Sequence, residues 1–358
     1  MNNIINYIVE NQEIFIGLED SKKTWKLCAR SGGVVIHEAS MPAKYEVLNN
    51  YFSNKFPGCL IHVMYEAGFR GFELHDQLKA AGYDCVVTPP HTVTEEKSQR
   101  KKNDRIDCRR LAKNLENGDY HSCYPPERKL REDRQISRLY EQGQRDIVRE
   151  CNRIRRTLEF HGLDQLFPEK NWSRNQYRQV HERLNKMDIA PSLKFTFNAY
   201  FDKLEHLWEI QKQVLNELKA LAQLEPYRRS VDIWKSAPGI GVLTAIRLAL
   251  EWGDVRSRFV RKENFSSFLG MIPSEYSTGE QERKGPITKQ GNRQVRAWLI
   301  ECTWRALKYD PALLDKFNRV VKSTGSRKKA IVATARKLAI RLRAVLIQGT
   351  PYTIGLIK

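Results

Sequence analysis

The chain has 358 residues, 41% hydrophobic and 29% charged, and its 61 Lys and Arg against 42 Asp and Glu leave a net charge of +19. That length supports two or three domains, each with its own core, and no apolar run is long enough to cross a bilayer, which argues against a helical membrane protein. The basic excess points to polyanionic partners, nucleic acid first, because clustered Lys and Arg release counterions from phosphates.

Seven scattered cysteines without a Cys-x-x-Cys pair read as reduced thiols in a cytosol and argue against structural zinc. The N-terminal residues lack the basic-then-apolar pattern of a signal peptide.

From residue 13 to 87 short apolar runs alternate with turns and amphipathic stretches, the pattern of an α/β domain. Strands are expected at 14–18, 25–29 and 34–37, the last two joined through Arg30-Ser31-Gly32-Gly33, then a helix over 43–56, a strand at 60–65, a helix over 71–81 and a strand at 83–87. A three-strand meander followed by alternating helices and strands is the order of a ribonuclease-H-like domain. Residues 93–102 are polar and charged and read as a mobile loop. After them Asp104 and Asp107 stand three apart on an expected helix, so both present oxygens to one hard cation. Glu19 and Glu66, each ending a strand-like run, can complete such a site. Lys102, Arg105 and Arg109 surround the pair and are candidates to hold a nucleic-acid backbone.

A strongly basic helix is expected over 127–159, with Ile136, Leu139, Ile147, Ile154 and Leu158 on its apolar stripe. Arg134, Arg138, Arg145, Arg149, Arg153, Arg155 and Arg156 lie around it, and without matching acids they read as a phosphate-tracking surface. A second long helix, 192–222, carries Leu193, Phe197, Tyr200, Leu204, Leu207, Val214, Leu218 and Leu221 in alternating steps of four and three, Gln211 being the polar member. That heptad pattern predicts a coiled coil, either with a partner subunit or with the preceding long helix. Pro238-Gly239-Ile240-Gly241 has the form of a helix-hairpin-helix turn, in which Gly239 and Gly241 would free backbone amides for a phosphate. The remainder is basic and helical, at 293–306 and 326–347, with Lys328, Lys329, Arg336, Lys337, Arg341 and Arg343 as a further basic surface.

Taken in order, the strand-end acid, Tyr65-Glu66-Ala67-Gly68, Lys102-Asn103-Asp104-Arg105-Ile106-Asp107, Pro238-Gly239-Ile240-Gly241, Tyr276-Ser277-Thr278-Gly279 and Ile287-Thr288-Lys289-Gln290-Gly291-Asn292 resemble the DEDD transposases of the insertion sequence 110 family, its 1111 branch included. The resemblance implies a RuvC-like catalytic domain (1–125), a long-helix coiled-coil connector (126–228) and a mainly helical C-terminal transposase domain (229–358) carrying a nucleophilic serine. It further implies an RNA-guided recombinase of a bacterial insertion sequence, in which an element-encoded non-coding RNA pairs with donor and target DNA. A homo-oligomer, dimer to tetramer, with composite active sites and a cytoplasmic, nucleoid-associated location belong to the same implication.

Two departures from the family pattern need a choice. Gly17-Leu18-Glu19-Asp20-Ser21-Lys22-Lys23 places Glu19 where the family usually has Asp, with Asp20 next; strand alternation sets Glu19 on the face of Phe15 and Gly17, and Glu19 is preferred. Ser277 is preferred to Thr278 as nucleophile because its primary hydroxyl is less hindered. The expected chemistry is Mg²⁺ held by Glu19, Glu66, Asp104 and Asp107, with Ser277 attacking phosphorus to give a covalent phosphoserine. Lys289 and Arg293 would neutralise the phosphate. The rivals are a RuvC-like Holliday-junction or structure-specific nuclease using activated water, and a non-catalytic RNA- or DNA-binding protein.

Overall fold

The computed structural model describes residues 10–90, 103–166, 172–275 and 284–355, divided between two compact units, 1–125 and 126–358.

The first unit is built on a five-stranded sheet of order β3-β2-β1-β4-β5. Its strands are β1 (Glu13–Glu19), β2 (Thr24–Ser31), β3 (Val34–Pro42), β4 (Leu60–Glu66) and β5 (Asp84–Thr88); its helices are α1 (Tyr45–Lys55), α2 (Glu73–Ala80) and α3 (Asp104–Asn117). The meander β1-β2-β3 is antiparallel, whereas β4 and β5 run parallel to β1, as the sequence reading expects. Strand alternation sorts the side chains between two layers. Ile14, Ile16, Leu18, Val63, Tyr65 and Val87 face a core closed by Leu48 and Phe52 of α1 and Leu74 and Leu78 of α2. On the opposite face Met64 packs with Leu111 and Leu115 of α3, and Cys28 with Cys108 and Ala112.

Gly17 decides how close α3 lies. A Cβ there would come within 2.1 Å of the Cys108 carbonyl oxygen and 2.5 Å of the Ala112 nitrogen, distances no side chain tolerates. The missing side chain therefore lets the α3 backbone rest directly on β1.

Among the described residues the second unit is helical apart from one short pair of antiparallel strands. Its long helices are α4 (Arg128–Phe160) and α6 (Pro191–Leu221), with α5 (Arg174–Lys186) between them in sequence. Ile154 and Leu158 of α4 share a core with Phe197, Phe201, Leu204 and Trp208 of α6 and Tyr177, Val180 and Leu184 of α5. Of the two partners considered for the 192–222 helix, the preceding long helix is thus one it packs against. The buried stripe of α6 is Phe197, Phe201, Leu204, Trp208, Gln211, Val214, Leu218 and Leu221. It departs from the expected heptad at Tyr200 and Leu207, which are half-buried, in favour of Phe201 and Trp208. The cause is α5, which the sequence reading missed: His181 stacks on Phe201 with centroids 4.5 Å apart, and Tyr177 meets Trp208 edge-on at 5.9 Å.

Polar groups also enter this packing. Gln211 Nε2 donates to the Tyr140 carbonyl at 3.2 Å. Glu150, 1% exposed, is paired by Arg153 on its own helix and by Lys203 Nζ of α6 at 2.9 Å. On α4 the expected stripe loses Leu139, which is exposed, while Ile136 and Ile147 are partly buried.

The rest of the unit comprises α7 (Tyr227–Trp234), α8 (Val242–Trp252), α9 (Val255–Arg258), α10 (Lys262–Phe268), β6 (Pro273–Glu275), β7 (Lys284–Ile287), α11 (Arg293–Ala306), α12 (Pro311–Thr324) and α13 (Arg327–Gln348). An aromatic chain of Trp234, Trp252, Phe265 and Phe259, each successive pair of rings about 5 Å apart, forms its centre. Among the described residues no helix is long and apolar enough to cross a membrane.

Candidate functional site

Four carboxylates gather in the first unit because three elements end or begin there. Glu19 is the last residue of β1 and Glu66 the last of β4, and the parallel register that pairs Leu18 with Tyr65 leads directly to them. Asp104 and Asp107 occupy the first turn of α3, where the helix dipole favours negative charge. The Asn103 side chain caps that helix by accepting from the Arg105 amide at 3.2 Å. Because Gly17 lies against α3, the Phe15, Gly17 and Glu19 side of β1 is the side that α3 covers.

Electrostatics register the gathering. Burial, then the negative charges of Asp104, Glu66, Asp107 and Asp20, raise the Glu19 carboxyl above its ordinary value. Asp20 is engaged elsewhere, accepting from Trp25 Nε1 at 2.8 Å and pairing with Arg70 at 3.1 Å.

Among the described residues no three acidic, histidine or cysteine groups close on one point as a ready-made ion cage. Cations stand between the acids instead. Lys26 Nζ lies 2.5 Å from Asp104 Oδ2, and one Arg110 nitrogen is 3.0 Å from Asp107 and 3.6 Å from Glu66. The sequence reading named Arg110 with Arg105 and Arg109 as possible ion-pair partners of Asp104 and Asp107, but did not single out Lys26. Lys26 was signalled by the β1-β2 register, which sets it opposite Glu19, and Arg110 by its place one turn after Asp107. A mutually repelling set of hard oxygen donors, one of them resisting ionisation, suits a divalent cation.

The basic residues proposed around this pair differ in what they do. Arg105 is exposed, Arg109 makes a two-point bridge to Glu38 at 2.5 and 2.8 Å, and Lys102 lies outside the described residues. Two of the α4 arginines do have matching acids, contrary to expectation: Arg149 pairs with Asp146 and Arg153 with Glu150, while Arg145 is exposed. Arg134 is drawn inward and donates to the Leu250 carbonyl at 2.9 Å. In the C-terminal basic surface Arg341 pairs with Asp310 and Arg343 donates to the Phe259 carbonyl, which leaves both structural.

Gly239 has φ of +85°, and a Cβ on it would meet the Cys302 carbonyl at 2.5 Å, so glycine is required where the 238–241 turn crosses α11. Gly241 is exposed at the start of α8, which has no side-chain cap. Lys289 and Arg293 are both exposed beside a tightly seated turn: Lys289 N donates to the Gly270 carbonyl at 3.1 Å, and the Gly291 and Gly270 backbones leave no room for a Cβ. Lys289 itself adopts φ of +56°, a conformation L-residues hold only when their surroundings impose it. The strands β6 and β7 pair antiparallel; Ser277 and Thr278 lie outside the described residues.

Comparison with known proteins adds two family profiles and a set of curated relatives. A profile described as transposase of the IS116/IS110/IS902 family matches residues 231–319, and a DEDD transposase profile of the IS110 type matches residues 16–163. The chain is similar to the transposase for insertion sequence element IS1533 of Leptospira borgpetersenii, 27% identical over 83% of this chain and 84% of that protein. It is similar also to the transposase for element IS1111A of Coxiella burnetii, 26% identical over 75% of this chain and 73% of that one. The transposase for element IS1328 of Yersinia enterocolitica is 25% identical over 83% and 86%.

Proposed function

The chain belongs to the IS110 family of transposases, and on that premise we propose that it cuts and rejoins DNA through a covalent phosphoserine at Ser277, with Mg²⁺ held by Glu19, Glu66, Asp104 and Asp107. The observation that carries this reading is the placement of the four acids at the ends of β1 and β4 and in the first turn of α3, near enough that, after burial, the charges of Asp104, Glu66 and Asp107 raise the Glu19 carboxyl. DEDD nuclease-like domains generally use divalent metal ions; such an ion would polarise the scissile phosphate and offset its developing charge.

The chain's own residues do the rest. The Ser277 hydroxyl attacks phosphorus, a bond forms from its oxygen, and the P–O bond to the departing sugar breaks, the proton passing to that oxygen. Reversal onto a different sugar hydroxyl rejoins the strand. Lys289 and Arg293, exposed next to a fixed turn, are placed in this reading on the phosphate's flank. Arg105, Arg109, Arg145, Arg149, Arg153 and Lys102 would track the backbone further out, with Arg109, Arg149 and Arg153 exchanging a carboxylate for a phosphate. The 238–241 turn would act as a helix-hairpin-helix, giving backbone amides to DNA.

The proposal extends to an element-encoded guide RNA pairing with donor and target DNA, to a coiled coil formed by the long helices, to a dimer or tetramer whose active sites draw acids and serine from different subunits, and to a cytoplasmic, nucleoid-associated location. Its support is the family resemblance and the +19 charge.

The test is strand cleavage in Mg²⁺. Glu66→Ala and Asp104→Ala should each abolish cleavage while nucleic-acid binding persists, and unaltered cleavage would sink the metal centre. A denaturant-stable protein–DNA adduct should form with the native chain and Thr278→Ala and fail with Ser277→Ala. Cleavage without any adduct would favour a water-using nuclease instead.

A further inference from the structure

The second unit contains a cavity of about 400 Å³ bounded by Gly239, Arg305, Lys308 and Tyr309, a size within the range of small-ligand sites, roughly 300–1,000 Å³. Its chemistry is uncommon for an idle surface. Tyr309 is 64% exposed, and among the described residues its ring makes no aromatic or cation contact. Arg305 and Lys308 are exposed too, and neither forms an ion pair among the described residues.

The walls are held in place. Gly239 presses on α11 so closely that a Cβ would lie 3.1 Å from Arg305 Cβ. After α11 ends at Ala306, Lys308 N donates to the Arg305 carbonyl at 3.1 Å and Tyr309 N to the Ala306 carbonyl at 3.0 Å. The next residue, Asp310, is fully buried. Its carboxylate accepts from the Ala312 and Leu313 amides, from Arg341 at 2.8 Å and from the Tyr352 hydroxyl at 2.6 Å. The adjacent acid is therefore consumed internally and does not neutralise the two cations.

We propose that this cavity takes a single unpaired nucleotide, its base stacked on Tyr309 and its phosphate held by Arg305 and Lys308. A base inside a duplex has both faces covered by its neighbours, so an exposed aromatic ring lining the same cavity as two cations selects an unstacked one. The hydrogen-bonded backbone saves the cost of ordering the main chain that carries Lys308 and Tyr309. The inference rests on the nucleic-acid reading of the preceding section but is independent of the acids and of Ser277.

The experiment titrates the full chain, by fluorescence anisotropy, with labelled oligo(dT), oligo(U) and a blunt DNA duplex. Tyr309→Ala should weaken single-strand binding about tenfold, the scale of one lost base stack, with Tyr309→Phe within about twofold of native and duplex binding unchanged. Arg305→Gln with Lys308→Gln should lower the salt dependence of single-strand binding by about one to two phosphate contacts. The stronger response between oligo(dT) and oligo(U) identifies the source of the nucleotide. Single-strand binding that Tyr309→Ala leaves unchanged, or an equal loss on single strand and duplex, overturns the proposal alone; a native chain that binds no nucleic acid overturns the functional reading with it.

Discussion

Arg110 shows how one side chain can hold two acids that would otherwise repel each other. Its contacts at 3.0 Å with Asp107 and 3.6 Å with Glu66 offset like charge in the position where a divalent ion would do the same more strongly. Arg110→Ala should therefore sharpen the response to metal: thermal melting in excess chelator falls, and the concentration of Mg²⁺ or Mn²⁺ giving half the maximal rise in Tm drops by about two- to fivefold, the scale of one or two partly exposed ion pairs. An unchanged metal midpoint would mean that Arg110 does not compete for those oxygens. The placement of Glu19 and Glu66 at strand ends and of Asp104 and Asp107 in the first turn of α3 was legible in the sequence, because the apolar pattern marks where those elements end and begin. The part played by Lys26 was not, since pairing with an acid across strands leaves no mark distinguishable from ordinary surface charge; Arg110, one turn after Asp107, was legible as an ion-pair partner.

The elements follow the same logic. The five strands and α3 could be read because they are periodic, whereas α5, α7 and α12 were missed because each is short or lies between stronger signals. The shift of the α6 stripe from Tyr200 and Leu207 to Phe201 and Trp208 was hidden for a related reason: a heptad describes one partner, and α6 has two. Gly17→Ala tests the sheet-to-helix contact. With backbone atoms only 2.1 and 2.5 Å from the new Cβ, α3 must move, and equilibrium unfolding should show a loss of about 3 kcal/mol or more, the upper end of overpacking costs. A second test concerns α9, whose N-terminus is capped by Asp254 accepting from the Arg256 and Ser257 amides and the Ser257 hydroxyl. Those hydrogen bonds, the hydroxyl's first, hold the carboxyl below its ordinary value. The folded value lies below the unfolded one, so the stabilisation is present above about pH 4 and lost as pH falls through the folded value. Asp254→Ala should cost about 1 kcal/mol in urea unfolding at pH 7, and the gap to the native chain should close as pH falls through the folded value of Asp254, below the ordinary carboxylate range.

At the scale of the whole molecule, the acids fall in residues 1–125 and Ser277 in residues 126–358, and each unit encloses apolar cores of its own. A fragment ending at Pro125 should fold, as judged by a cooperative melt, and respond to divalent metal, yet form no covalent adduct with DNA. A fragment that fails to melt cooperatively would place part of its stability in the remainder of the chain. The family was legible from sequence because its five short motifs keep their order across both units. The acids that answer Arg149 and Arg153 were missed for the converse reason: a charge count along one helix does not reveal that Asp146 and Glu150 pair with them.

Glu150 carries a consequence of its own. An acid 1% exposed in the seam of a long helix pair is tolerable only while Arg153 on its own helix and Lys203 on the facing one remain beside it. Sliding α6 along α4 by one turn, about 5.4 Å, would strip away Lys203 and leave the charge half-answered in an apolar groove, at a cost that apolar seams do not impose. The pair of helices is thus keyed to the register in which Lys203 answers Glu150, and a one-turn slip is penalised by charge as well as by packing.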